Sequence, residues 1–95
     1  MQFLVIARIS EGTALEKVLP YVKPEAKKVW EYYASDVVRS IYYIADMSGA
    51  VLMLEAENLQ AAQEIVAQLP MAQNNVLNFE ILPLKAYTGL EALFA

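Results

Sequence analysis

The stretch 37-VVRSIYYIADMSGAVLMLEAEN-58 decides the fold. Two apolar runs, Arg39 to Ala45 and Ala50 to Ala56, flank the short segment Asp46-Met47-Ser48-Gly49. β-Branched and aromatic residues on both sides of a short loop that contains glycine are typical of a β-hairpin. The sequence therefore predicts two antiparallel strands joined by a tight turn.

The residues before this hairpin predict a strand and a helix. Residues 2–9 are short and almost continuously apolar, as in a strand that is buried on both faces. Thr13 and Glu16 have the spacing of a capping box, so a first helix is expected to start there. Pro20 and Pro24 disfavour a continuous helix, and we expect a break at residues 21–23 and a second segment from Pro24 to about Asp36.

The residues after the hairpin predict a second helix and a last strand. Asn58 is a good N-cap, and apolar residues recur at helical spacing from Leu59 to Leu69, ahead of Pro70. Residues 76–84 read as a strand. The tail 88–95 is expected to form a short helix whose apolar side chains dock on a neighbouring subunit.

The order of elements predicts an α+β fold. One domain is expected over residues 1–95, because a chain of this length seldom holds two cores. The order β-α-β-β-α-β, with a broken first helix and a tail helix, is that of the ferredoxin-like fold.

Composition excludes several classes of protein. Hydrophobic residues make up 58% of the chain and charged residues 19%, which favours a homo-oligomer that covers apolar surface. The net charge of -4 argues against nucleic-acid binding. No His or Cys is present, which removes the commonest metal ligands and thiol or histidine catalysis. No membrane span or signal peptide is evident, so a cytoplasmic protein is expected.

Four polar residues are expected to form a cluster at one end of the sheet. On the assumption that the first and third strands run parallel, Arg8, Ser40, Glu55 and Asn78 fall at the same end. Glu55 would act as a general base with a pKa raised by burial, Arg8 would anchor an oxyanion, and Tyr42 would donate a proton. The alternative is a structural ion pair between Arg8 and Glu55, with Glu80 as a second acceptor at a subunit contact.

A pocket between the long helix and the sheet is suggested by five aromatic residues: Trp30, Tyr32, Tyr33, Tyr42 and Tyr43. Trp30 and Tyr33 are expected on the side of the helix that packs on the sheet, with Ala26, and they would contact a planar or hydrophobic ligand. Ordinary core packing explains the same residues equally well. For Tyr32 and Tyr42 the two interpretations are balanced.

The chain resembles the muconolactone isomerase-like proteins. The resemblance runs through MQFLVIARIS, the hairpin, LQAAQEIVAQLP and NVLNFEILPL, and its most specific part is Gln68-Leu69-Pro70 followed by a strand that ends at residues 80–84. It implies two sheets that close into a dimeric α+β barrel, and a cofactor-free movement of a proton within a lactone ring. Arg39 and Glu55 stand where the family has a basic and an acidic group. Ser40, Tyr42 and Tyr43 stand where the isomerases have His and Trp.

These observations lead to one functional hypothesis and two alternatives. The first is a cofactor-independent isomerase or lyase that transfers a proton on a small cyclic carbonyl or lactone compound, without a metal. Its catalytic residues would be Glu55, Arg8 and Tyr42, and its substrate-binding residues would be Ser40, Arg39, Trp30, Tyr33 and Asn78. The alternatives are a non-catalytic oligomeric module that binds a small hydrophobic molecule or serves assembly, and a cofactor-free oxygenase.

Overall fold

A computed structural model describes residues 1–95 as one α+β unit. A short 3₁₀ helix follows the last strand, at Gly89–Phe94. In chain order the elements are β1 (Gln2–Ile9), α1 (Leu15–Ala34), β2 (Val38–Tyr43), β3 (Gly49–Glu55), α2 (Leu59–Ala67), α3 (Pro70–Gln73) and β4 (Leu77–Pro83).

The four strands form an antiparallel sheet in the order β2-β3-β1-β4. This is the ferredoxin-like arrangement, and it confirms the predicted fold class. The assumption that β1 and β3 run parallel is wrong. The α1 crossover makes β2 parallel to β1, and the hairpin then reverses the chain, so β3 runs antiparallel to β1, with Gln2 opposite Glu55 and Arg8 opposite Gly49.

Helix α1 is continuous, so the predicted break at residues 21–23 is wrong. Pro20 and Pro24 lie inside the helix, and both are exposed. A proline leaves the carbonyl four residues earlier without its helical partner, and on the solvent side water can hydrogen-bond that carbonyl. The helix also begins later than predicted: its N-cap is Ala14, which makes no side-chain cap bond, instead of Thr13.

Both long helices cover the same face of the sheet. The larger core cluster lies under α2, and its most buried large side chains are Phe3, Val5, Val38 and Leu54. A second cluster, Val18, Met71 and Val76, lies near the start of α1. The other face of the sheet, here called the open face, carries no helix.

Local hydrogen bonds fix the ends of the elements. The Oδ1 atom of Asn58 accepts from the amide of Ala61 at 2.8 Å, which confirms Asn58 as the N-cap of α2. The Tyr32 hydroxyl donates to the carbonyl of Ile65 at 2.9 Å and joins α1 to α2. Burial, and then the nearby Glu31 carboxylate, raise the pKa of this Tyr32 hydroxyl.

The tail forms a short helix, as predicted, but it packs on nothing within the chain. All of residues 88–95 are exposed, and Phe94 is 87% exposed. No helix in the structure has both the length and the apolar composition needed to cross a membrane.

Candidate active site

One stripe of α1 faces the sheet. Leu15, Val18, Val22, Glu25 and Val29 recur every three or four residues, which places them on one side of the helix. Four of the five are apolar. Glu25 therefore brings a carboxylate to a helix face that otherwise packs against the core.

The stripe covers a cavity of about 500 Å³. Small residues leave room on the sheet side, where Ala7 on β1 and Ala50 on β3 are register partners. The end of the cavity is formed by Leu69 and Met71, at the junction of α2 and α3. A space of this size and composition suits a small organic ligand, because ligand pockets are mostly apolar and span roughly 300–1,000 Å³.

The mouth of the cavity lies beside β2 and the hairpin. Tyr42, Tyr43 and Met47 line it, and they are 69%, 74% and 58% exposed. Tyr43 is the register partner of Ala50, whose side of the sheet faces the helices, whereas Tyr42 is paired with Val51 on the open face. Strand alternation therefore gives Tyr43, more than Tyr42, a side chain directed toward the cavity.

Glu25 is held in place from the far end of the cavity. The amide of Met71 donates a hydrogen bond to its Oε1 atom at 3.0 Å. No Lys or Arg forms an ion pair with it. Burial raises the pKa of the Glu25 carboxyl, and the hydrogen bond from Met71 offsets part of this rise.

This arrangement can transfer a proton. A half-buried carboxyl with a raised pKa is a better base than an ordinary carboxylate, and it can return the proton as an acid. The Met71 amide occupies Oε1, so Oε2 is free to meet a ligand. The walls supply apolar contact to a ligand.

The predicted cluster of Arg8, Ser40, Glu55 and Asn78 does not form. Arg8 is opposite Asn78 in the β1–β4 register, but Glu55 is opposite Gln2, six residues away along β1. At about 3.4 Å a residue, Arg8 and Glu55 are separated by about 20 Å. The prediction is wrong because it assigned the wrong direction to β3, and the alternative ion pair between Arg8 and Glu55 is wrong for the same reason.

Glu55 has a different partner. Its Oε1 atom accepts a hydrogen bond from the N-terminal ammonium group of Met1 at 2.8 Å. This hydrogen bond lowers the pKa of Glu55, with smaller contributions from the ammonium charge and from Arg39. The prediction that burial raises the pKa of Glu55 is therefore wrong, because the carboxylate stands in solvent beside a cation.

The predicted substrate-binding residues lie outside the cavity. Ser40 is opposite Met53, and the Nε atom of Arg39 donates to the carbonyl of Asp36 at 2.8 Å. Trp30 and Tyr33 are 63% and 49% exposed, and their rings stack with centroids 6.0 Å apart. The inward stripe of α1 is shifted by one residue from the predicted one, so the expected packing of Trp30 and Tyr33 on the sheet is wrong.

Glu25 and Tyr43 were not assigned catalytic roles from the sequence. The signal for Glu25 is its position at helical spacing within an otherwise apolar stripe, which appears only when α1 is treated as one helix through Pro20 and Pro24. With a break at residues 21–23, Glu25 becomes a first-turn residue, where a carboxylate is ordinary.

Comparison with solved structures agrees with the fold. The chain is similar to the 5-chloro-2-hydroxyhydroquinone dehydrochlorinase TftG from Burkholderia phenoliruptrix AC1100, solved in complex with 2,5-dihydroxybenzoquinone, with a TM-score of 0.77 and 16% identity over 94% of this chain and 98% of that one. It is also similar to a muconolactone isomerase, with a TM-score of 0.75 and 16% identity over 93% and 92% of the two chains. No protein-family model and no curated protein matches the sequence.

These similarities confirm the predicted resemblance at the level of the fold. The chain has the ferredoxin-like α+β fold of the muconolactone isomerase-like proteins. Both similar structures are of small-molecule enzymes, a dehydrochlorinase and an isomerase.

Proposed function

We propose that the chain is a cofactor-independent isomerase or lyase that transfers a proton on a small cyclic carbonyl compound held in the cavity. The observation that carries the proposal is the Glu25 carboxyl, which is the one charged group among the lining residues and has its Oε1 atom fixed by the Met71 amide. The similar solved structures, a dehydrochlorinase and an isomerase, support the same class of reaction.

The proposed step begins with ionised Glu25. Its Oε2 atom takes a proton from the carbon next to the carbonyl group, the C–H electron pair becomes a C=C bond, and the carbonyl π electrons move onto oxygen. In a compound that already carries a C=C bond beside that carbon, the protonated Glu25 then returns the proton to the far carbon of that bond; the carbonyl re-forms and the C=C bond is shifted by one position toward it. In the lyase variant, a leaving group on the neighbouring carbon departs with its bonding electrons instead.

The charge in the cavity stays constant during this step. One negative charge moves from Glu25 to the enolate oxygen, so no additional charge is buried. We assign the Tyr43 hydroxyl at the mouth as the hydrogen-bond donor to that oxygen, since the β2–β3 register places Tyr43 beside Ala50. The role of Tyr42 in proton donation stays a prediction, as do the catalytic roles of Arg8 and Glu55.

Carbon-bound hydrogen exchange tests the proposal directly. With 3-methylcyclohex-2-enone in D₂O, we expect the wild-type chain to accelerate deuterium uptake, measured by NMR, and Glu25→Gln to slow it at least about 100-fold. Glu64→Gln is the matched control and should keep the rate within about twofold, because Glu64 is exposed on α2 and does not line the cavity. Circular dichroism verifies that each variant is folded.

Three outcomes discriminate between the hypotheses. A Glu25→Gln variant with the wild-type rate removes Glu25 from the mechanism. A wild-type chain that binds the enone but does not exchange its hydrogens is a binding module. A larger loss in Tyr43→Phe than in Tyr42→Phe assigns the oxyanion role to Tyr43.

We also propose that the chain is a homodimer formed through the open face. Leu4, Ile6, Val51 and Met53 give this face a half-exposed apolar centre, and no element of the chain covers it. Arg8 and Glu80 share the face, and neither makes an ion pair within the chain. A second copy would cover the apolar centre and bring each Arg8 toward a partner's carboxylate.

A further inference from the structure

The cavity contains no positive charge. Of its 17 lining residues, 16 are hydrophobic, and the remaining one is Glu25. None of the seven basic residues of the chain lines it. These residues are Arg8, Lys17, Lys23, Lys27, Lys28, Arg39 and Lys85.

The basic residues closest in sequence to the stripe have other surroundings. The Nζ atom of Lys28 is 3.4 Å from Glu31 and lies over the ring of Tyr32 at 5.1 Å from its centroid. Lys23 and Lys27 are exposed. Arg8 belongs to the open face, on the other side of the sheet. No cation is therefore placed to neutralise an anionic ligand in the cavity.

A carboxylate-bearing ligand would meet two penalties in this space. Its charge would lose water and meet no cation in return, because the lining offers apolar side chains and, at the mouth, the hydroxyl groups of Tyr42 and Tyr43; desolvation of an unpaired charge is costly. It would also lie close to Glu25, so that two negative charges would share one apolar space. A neutral ligand avoids both penalties and can still hydrogen-bond to the free Oε2 atom, through a hydroxyl group or, when Glu25 is protonated, a carbonyl group.

We propose that this cavity selects uncharged cyclic compounds that carry a hydroxyl or carbonyl group and excludes compounds of the same ring size that carry a carboxylate. The inference rests on the proposed function, since it concerns the ligand of the same cavity, and it adds the charge class of the substrate. The discrimination against carboxylates comes from the absence of a cation in the cavity as much as from the contacts that a neutral ligand makes there.

A matched pair of probes tests the selection on the full chain. Methyl 4-hydroxybenzoate is neutral at about pH 7.5, whereas 4-hydroxybenzoate has the same ring and hydroxyl group but an ionised carboxylate. Isothermal titration calorimetry should show the ester binding at least about 100-fold more tightly than the acid. Equal binding of the two probes, tighter binding of the acid, or no binding of the ester overturns the proposal.

A pair of variants tests the physical cause. Val22 lines the cavity and is 47% exposed, so Val22→Lys adds a cation at the site with little risk to folding. It should reduce the preference for the ester at least about tenfold. Leu19 lies on the same helix, does not line the cavity and is 58% exposed, so Leu19→Lys adds the same charge elsewhere and should leave the preference unchanged. An equal change in both variants contradicts the proposal.

The two proposals can fail separately. If the ester binds selectively but Glu25→Gln exchanges enone hydrogens as fast as the wild-type chain, the proposed function fails and the charge selection holds. If Glu25 drives exchange but the acid binds as tightly as the ester, the charge selection fails and the proposed function holds.

Discussion

The amide of Met71 donates a hydrogen bond to the Oε1 atom of Glu25 over 3.0 Å, between residues 46 positions apart in sequence. This contact joins the first turn of α3 to the middle of α1. An amide at the start of a helix has no partner within that helix, so the carboxylate supplies one that would otherwise be missing. The same bond fixes the orientation of the carboxyl group that we assign to catalysis.

The position of Glu25 predicts a pH dependence of stability. Because burial raises its pKa above the ordinary value of 4.5, the folded chain binds this proton more tightly than the unfolded chain does. The stability that Glu25 contributes is full below pH 4.5 and declines as the pH rises through the folded pKa. Glu25→Gln lacks this decline. The free energy of unfolding of the variant minus that of the wild type should therefore increase from about pH 4 to about pH 7.5.

Urea unfolding at a series of pH values measures this difference. Asp46 and Glu55 have lowered pKa values, so the stability that they contribute is lost as the pH falls. Both residues are present in the wild type and in the variant, so their contributions cancel when the two proteins are compared. Glu64→Gln removes the same charge at an exposed position on α2 and is the matched control, so the pH-dependent difference should be larger for Glu25→Gln. A constant offset for Glu25→Gln at every pH would contradict the assignment.

Substitution of Gly49 is expected to lower stability by a steric clash within the sheet. A Cβ atom added at Gly49 would overlap the backbone carbonyl oxygen of Ala7. Ala7 lies on β1, the strand that pairs with β3 of the hairpin. Backbone cannot move aside as a flexible side chain can, so Gly49→Ala should lower the free energy of unfolding by about 3 kcal/mol. Ala45→Ser, on the exposed part of the same hairpin, should change it by less than about 0.5 kcal/mol. A folded Gly49→Ala variant of wild-type stability in urea would show that the strands can separate at this point.

The fold was predictable because local signals and topology agree. Gly49 and the turn beside it mark the hairpin, and Asn58 marks the start of α2. Each of these features depends on a few neighbouring residues. The alternation of Phe3, Val5 and Ala7 toward the helices is also readable from sequence once β1 is placed at the centre.

The site was not predictable by the same means. The exposed positions of Pro20 and Pro24 allow one continuous helix, and only that continuity brings Glu25 into register with Val18 and Val22. The hydrogen bond from Met71 depends on how α3 meets α1, which no local pattern encodes. For Glu55, one reversed strand direction was enough to place it at the wrong end of the sheet.

If the chain dimerises through the open face, one charged residue introduced there should weaken the dimer. Met53 lies near the middle of this face, with Leu4 opposite it on β1 and Ser40 opposite it on β2. Met53→Lys would bury an ammonium group in the proposed interface, so the dimer dissociation constant should rise at least about 100-fold. Light scattering after size exclusion, over a dilution series, measures the change. Leu19→Lys, on the outer side of α1, should not alter the mass, and a monomeric wild-type chain would contradict the proposed dimer.

Removal of the tail, residues 88–95, is expected to weaken assembly without destabilising the fold. None of residues 88–95 is buried, and Leu90, Leu93 and Phe94 are 62%, 77% and 87% exposed. The backbone hydrogen bonds formed by this segment, such as that from the amide of Glu91 to the carbonyl of Thr88 at 3.0 Å, lie within the tail. Truncation after Tyr87 should therefore change the free energy of unfolding of the monomer by less than about 0.5 kcal/mol.

Assembly should respond differently, because these apolar side chains need a surface outside their own chain. The truncated chain should dissociate at a concentration at least about tenfold higher than the full chain does, as followed by light scattering. A full-length variant with Leu93→Ser and Phe94→Ser keeps the tail but removes its apolar contacts, and it should match the truncation. If both variants keep the wild-type mass at every dilution, the tail does not dock on a neighbour; if only the truncation loosens the assembly, the backbone of the tail is the part that docks.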